Sequence, residues 1–192
     1  MYTKKDYSKL RGAPGFSDKA LETHFALYEG YVTNVGKIGD SLKELADKDK
    51  RDTPEYSELK RRAGWEWNGM RLHELYFENI AKEGLVLEPK SELAKKLTED
   101  FGAYADWEKD FRATGMMRGI GWVILYAEPQ AGSLFNAWIN EHDCGHPAGA
   151  KPILVMDVFE HAYFPDYGKD RASYIDAFMK NIDWQTVEKR LG

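Results

Sequence analysis

Mostly apolar residues recur every three or four positions early in the chain. Ala20, Leu21, His24, Leu27, Tyr28, Tyr31, Val35 and Ile38 share one face, and Leu42 and Leu45 extend it. That period predicts a long amphipathic helix capped by Ser17 or Asp18, with a break expected at Gly36 or Gly39. The run from Asp47 to Asp52 is wholly charged and reads as a solvated turn. Thr53-Pro54-Glu55 then starts a second helix, with proline at the first helical position. It carries Tyr56, Leu59, Ala63, Trp67, Met70, His73, Leu75, Phe77 and Ile80, and Gly84 is expected to end it. Two long helices joined by a charged turn predict an antiparallel hairpin.

The pattern changes at Leu87-Glu88-Pro89-Lys90-Ser91. Ser91 can cap a short helix through Leu93, Leu97 and Phe101, and another follows from about Ala105 to Met116. Gly121 to Tyr126, Leu134 to Ile139 and Pro152 to Met156 are short apolar, β-branched or aromatic runs, and read as strands. Tyr174 to Leu191 is helical, with a break near Asp183. The fold class is α+β: a helical hairpin over residues 1–88, packed on a mixed α+β domain over 89–192 with a small three-stranded antiparallel sheet.

Composition narrows the function classes. Of 192 residues, 14% are aromatic, enough for a dense core or a ring-lined site. The net charge of -5 gives no broad basic field for nucleic acid. No stretch approaches the roughly 20 apolar residues of a membrane span. The lysines near the N-terminus are not followed by an apolar stretch, so they do not read as a secretory signal. The one cysteine, Cys144, cannot form an intrachain disulfide, and the expected location is cytoplasmic.

The candidate chemistry lies in His24, His73, His142, His146, His161 and Asp157. Asp157 follows an apolar run, where an unpaired carboxylate is costly and a metal removes that cost. If the chain turns helically after the strand, Asp157 and His161 fall on one side. His24 and His73 sit on the apolar faces of the two long helices, which meet in a hairpin. Each piece has a plain alternative. A histidine on an apolar face is often a hydrogen-bonded core residue, Asp-x-x-x-His can be an ion pair, and an Asp ending a strand can cap a turn. Three imidazoles with one carboxylate suit a first-row transition metal, but periodicity alone cannot join these four residues.

Longer motifs do join them. Asp157-Val158-Phe159-Glu160-His161-Ala162-Tyr163 resembles the Asp-x-Trp-Glu-His-Ala-Tyr signature of the iron/manganese superoxide dismutase family. Tyr167, Tyr174 to Phe178, Asn181-Ile182-Asp183-Trp184, Gly121-Trp122, Leu21 to His24 and Tyr31 to Asn34 are similar to the family in the same order. The resemblance implies one iron or manganese ion per subunit, between the two domains, bound by His24, His73, Asp157, His161 and one solvent molecule. It implies conversion of superoxide to oxygen and hydrogen peroxide in a homodimer or homotetramer. Glu160 would reach the partner's His161 across the interface, with Tyr163 in the same motif, and Trp122 would wall the site. In the family a Gln or His hydrogen-bonds the metal's solvent. Here Gly69 offers no side chain, and His142, fifteen residues before Asp157, takes the role. That places iron slightly ahead of manganese.

The chain also departs from the family pattern. Tyr28 stands at a usual His, and the interval from His24 to Tyr31 is one residue short. One residue lost from a helix rotates all later positions by about 100°. Either a bulge restores Tyr31 or the substrate gate is built differently, with Tyr28 a candidate to share it. Phe159 replaces the signature Trp, and Phe164 stands where Tyr is frequent. Three rival readings remain. One is a superoxide dismutase-like metal protein with weak or no activity. Another is a zinc site or zinc hydrolase in His142-Asp143-Cys144-Gly145-His146, which falls short of the usual four structural ligands. The third is a purely structural helical interaction module, which leaves the buried ionisable residues unexplained.

Overall fold

The computed structural model describes residues 2–192. A single 3-10 turn at Ser8–Leu10 precedes α1 (Asp18–Asp47) and α2 (Pro54–Glu78). Then come α3 (Glu92–Phe101), α4 (Tyr104–Gly115), β1 (Gly121–Ala127), β2 (Leu134–Asn140), β3 (Lys151–Asp157), α5 (Glu160–Tyr167), α6 (Arg171–Lys180) and α7 (Trp184–Leu191).

The Ser17 hydroxyl accepts the Ala20 N–H and caps α1, while Leu21, His24, Tyr28 and Val32 turn inward. The break expected at Gly36 or Gly39 is absent, and α1 runs on to Asp47. A helical glycine costs only about 1 kcal/mol relative to alanine, and the turns flanking these two are held by packing at Val32, Val35 and Leu45. Thr53 caps α2 through the Tyr56 N–H, with Pro54 in the first turn.

α2 stops at Glu78, six residues before Gly84. Asn79 diverts the chain there. Its side-chain amide donates to Tyr76 O, its Oδ1 accepts the Val155 N–H of β3, and its carbonyl accepts the Asp183 N–H. Ile80 then pairs with Ile182 in an antiparallel bridge that replaces the next helical turn. Gly84 serves a close crossing rather than a helix end, since a Cβ there would lie 1.7 Å from the Lys180 carbonyl oxygen.

The sheet is antiparallel in the order β2-β1-β3. All seven residues of central β1 are buried, and Trp122 pairs with Ile139 on one side and Asp157 on the other. The helices α2 and α7 lie against β3, and α4 lies against β1 and β2. One core cluster runs from Tyr7 to Val187, through Tyr76 and Phe77 of α2, Trp107 and Phe111 of α4, Trp122, and Tyr174 and Phe178 of α6. The aromatic content is therefore spent on a core common to the hairpin and the sheet. That core brings α1, α2 and the end of β3 together.

Candidate metal centre

Asp157 is the last residue of β3, and α5 begins three residues later, so His161 lies in its first turn. The Asp157 carboxylate is split between two tasks. Oδ1 accepts the Phe159 N–H at 2.8 Å, which fixes the rotamer. Oδ2 faces three imidazoles: His24 Nε2 at 3.1 Å, His161 Nε2 at 3.0 Å and His73 Nε2 at 3.6 Å. The backbone of Asp157 is anchored from behind, where the Tyr174 hydroxyl donates to its carbonyl at 2.6 Å and lies 3.2 Å from the Tyr76 hydroxyl.

One atom in this set has no partner. His73 Nδ1 lies 2.6 Å from Gly69 O, and a carbonyl can only accept, so Nδ1 carries the proton. Nε2 is then a bare lone pair, fully buried and without a hydrogen bond, aimed at a carboxylate oxygen. Two lone pairs facing each other in a dry interior repel, and a cation between them turns that cost into a gain. Among the described residues, one group of three or more His, Cys, Asp or Glu can converge on an ion. It is His24, His73, Asp157 and His161, with ligand atoms within 4.8 Å of one another.

The electrostatics of the cluster are consistent with this. Burial pushes the His24 and His73 imidazoles below their ordinary value, so both stay neutral. Burial also opposes a charge on His161, but the charge of Asp157 and the hydrogen bond to it outweigh that and hold His161 above its ordinary value. Burial would push Asp157 up, yet His161 and His24 hold it well below the usual carboxylate range. The raised value of His161 favours a proton shared with Asp157, and a metal bound through Nε2 must displace any proton held there.

A second layer surrounds the cluster. His142 is fully buried, and its Nδ1 accepts the Trp122 indole N–H at 3.1 Å. Burial pushes its pKa down to about 4, so the ring is neutral with its proton on Nε2. That Nε2 lies 2.8 Å from the Tyr31 hydroxyl oxygen, to which it donates. Tyr31 therefore keeps its own proton for another acceptor, and burial raises its pKa above the ordinary phenol value. Trp122 stands 5.0 Å from the His73 ring. Phe159 stacks on His142 at 4.8 Å and on His161 at 5.3 Å, so the residue at the signature Trp still walls the site.

Tyr31 reaches this layer without a bulge, because α1 is unbroken. Its ring crosses over Gly69, where a Cβ would lie 2.6 Å from Tyr31 Cδ1. A side chain at position 69 and this placement of Tyr31 exclude each other. Tyr28 is not brought to the site. Its hydroxyl donates to Glu74 at 3.0 Å and accepts the Lys5 N–H at 3.0 Å, beside Phe77. The Glu160 side chain is exposed, with no hydrogen bond or ion pair among the described residues. Tyr163 is buried, with its hydroxyl 3.2 Å from Arg171. Cys144 is exposed, and the His142 and His146 rings have separate partners, so they form no zinc cluster.

Sequence reasoning missed Trp65, whose ring lies 4.5 Å from His142 and 5.5 Å from Tyr31. The signal was present, since 65, 69 and 73 are spaced by four along one face of α2. The Gly69 carbonyl and the Tyr76–Tyr174 anchor were also missed. A backbone acceptor and a contact between distant helices leave no trace in periodicity.

The fold and this cluster define a class: a helical hairpin packed on an α+β sheet, with a four-ligand site compatible with one metal ion. A family model described as iron/manganese superoxide dismutases, C-terminal domain, matches residues 89–190. The chain is 37% identical over 191 residues to a superoxide dismutase [Fe] of Aquifex aeolicus (strain VF5), covering 97% of this chain and 89% of that protein. It is 36% identical over 182 residues to a superoxide dismutase [Fe] of Cupriavidus metallidurans, covering 92% and 88%. It is 35% identical over 180 residues to a superoxide dismutase [Mn] of Haloarcula marismortui, covering 93% and 86%. The chain belongs to the iron/manganese superoxide dismutase family, an oxidoreductase family.

Proposed function

We propose that this chain dismutates superoxide at one iron or manganese ion held by Nε2 of His24, His73 and His161 and by Oδ2 of Asp157. The observation that carries the reading is the orphaned Nε2 of His73, buried and 3.6 Å from a carboxylate oxygen. Three neutral nitrogens and one carboxylate suit a first-row transition metal. When bound, the ion supplies the one-electron couple that oxidises one superoxide to oxygen and reduces another to peroxide, which takes up two protons.

The protein's own part is positioning and proton supply. Asp157 contributes the single negative charge, and its rotamer is fixed by the Phe159 N–H. Gly69 O holds His73 in the tautomer that bares Nε2. The His142 Nε2–H, which lies against the Tyr31 oxygen, would also be the donor available to a solvent molecule on the bound ion, and would tune its proton affinity. Tyr31, whose hydroxyl proton is unclaimed, relays protons and limits access. Trp122 and Phe159 keep the space dry. Glu160, exposed and unpaired beside His161, bonds the partner's His161 in a homodimer or homotetramer, with Tyr163 packed behind it. We place iron slightly ahead of manganese, because the outer donor is His142 rather than a residue at position 69. We place the protein in the cytoplasm from its single cysteine; among the described residues no helix is long and apolar enough to cross a membrane.

Reconstitution of the metal-free protein with iron or manganese, read by elemental analysis and a superoxide-scavenging assay, tests this. One ion per chain and activity with at least one metal are expected. Stoichiometric metal without scavenging would leave a metal-binding relative that lacks the activity. The short His24–Tyr31 interval favours that rival, yet Tyr31 lies 2.8 Å from His142 despite it.

A further inference from the structure

One part-buried hydrogen-bonded chain, from Tyr126 through His146 to the His142 carbonyl, takes no part in the roles above. His142 sits on a tight turn at the end of β2, closed by Asn140 and Cys144, which exchange backbone hydrogen bonds at 3.1 and 3.2 Å. Within that turn Glu141 adopts a left-handed conformation, φ 56°, which is uncommon for a non-glycine residue. The turn must therefore be held from outside. His146 Nε2 lies 2.8 Å from the His142 carbonyl oxygen, and its Nδ1 lies 2.8 Å from the Tyr126 hydroxyl. Among the described residues this is the one hydrogen bond to the backbone of residues 141–143.

The proton positions follow from the acceptors. A carbonyl only accepts, so His146 Nε2 carries a proton, and in the neutral ring Nδ1 is an acceptor. The Tyr126 hydroxyl, 1% exposed and with its pKa raised by burial, donates to that Nδ1. Tyr126 and Trp122 both stand on β1, four residues apart, on one face of the central strand. The same strand thus holds His142 twice. Trp122 grips the ring, and Tyr126 acting through His146 grips the backbone.

We propose that His146, braced by Tyr126, is a positioning residue for the dismutation reaction: it fixes the turn that sets where the His142 imidazole stands beside the metal cluster. This rests on the reading of His142 as the outer hydrogen-bond donor. The brace touches neither substrate nor metal and acts only through His142.

The test is a double-mutant cycle with a second, metal-free readout. His146→Ala is expected to lower kcat/KM about tenfold, the scale of a lost outer-shell contact, at unchanged metal content. Tyr126→Phe, which keeps the ring packed against Phe135 and removes only the hydroxyl, is expected to lower it less. His146→Gln, whose amide can still donate to the His142 carbonyl, should recover most of the loss. In a His142→Ala background the effect of His146→Ala should vanish. In the metal-free chain, nitrogen-15 NMR of the histidine rings should show His142 with one protonated and one bare nitrogen, and averaging of the two in His146→Ala. An equal loss from His146→Ala in both backgrounds, or no change in activity and NMR for either brace variant, overturns the proposal. If His142→Ala abolishes activity and His146→Ala is silent, the brace alone is wrong. If His142→Ala is itself silent, the role of His142 fails, and the brace has nothing to act through.

Discussion

The inner cluster and the layer around it are built on opposite principles. In the outer layer both His142 nitrogens have partners, Trp122 and Tyr31, and the ring is packed on Phe159 and Trp65. In the inner cluster one carboxylate oxygen faces three imidazoles, and His73 Nε2 has no hydrogen-bond partner. Both ring nitrogens of His142 are thus hydrogen-bonded within the protein, whereas a buried ring nitrogen of the inner cluster, His73 Nε2, is not. A buried polar network that satisfies itself stiffens a structure, whereas one that does not marks a ligand. The outer layer can therefore hold its geometry before the ion arrives, and the inner cluster can change its charge without disturbing it.

The largest test of that contrast is Asp157→Ala. It removes the only charge the ion meets and is expected to reduce metal affinity by more than about 100-fold, beyond the range for outer-shell losses. Activity should vanish with the metal. Retention of a full metal complement would erase the distinction between the layers. Next is His142→Ala. It should keep the metal content near that of the parent while activity falls about 100-fold and the metal potential shifts, as a lost proton-transfer group does. Loss of metal in this variant would place His142 in the inner set.

The pH dependence separates the layers further. For the metal-free chain, His24 and His73 have depressed values, so their contribution to stability is lost as pH falls below the ordinary histidine value of about 6.5. His161 is raised, so its contribution is present below that value and lost as pH climbs through its folded value. Asp157 is depressed, and its contribution is lost only as pH falls below the carboxylate range. The cluster's contribution should peak near pH ~6.5. Metal loading should flatten the alkaline side and release a proton, measurable by thermal melts and by calorimetry in buffers of different ionisation enthalpy. A metal-free stability that rises steadily from pH 6 to 9 would contradict the assignment.

The smallest effects compare two tyrosines three residues apart on α1. Tyr31→Phe removes the acceptor for His142 Nε2 and should lower activity severalfold with little cost in stability. Tyr28→Phe leaves the buried Glu74 without its phenol donor and should cost about 1–2 kcal/mol in urea denaturation, with activity unchanged. The reverse pattern would return Tyr28 to the gate.

These tyrosines also show what the sequence could disclose. Helix caps, the charged turn and three strands are local events, and Ser17, Thr53, Ser91 and the runs at 121, 134 and 152 disclosed them. The His24–Tyr31 interval was legible as one residue short, but its resolution was not, because that depends on a ring passing over Gly69 of another helix. Gly84 read as a helix end because a glycine at a chain crossing looks like a glycine at a cap. The four cluster residues were joined only through resemblance, since no period links positions 24, 73, 157 and 161.

The most direct test is anomalous diffraction from crystals of the metal-loaded protein at the absorption edge of the bound element. A single peak is expected per chain, within bonding distance of Nε2 of His24, His73 and His161 and Oδ2 of Asp157. A peak elsewhere, beside Cys144 and His146 for example, with this pocket empty, would contradict the account.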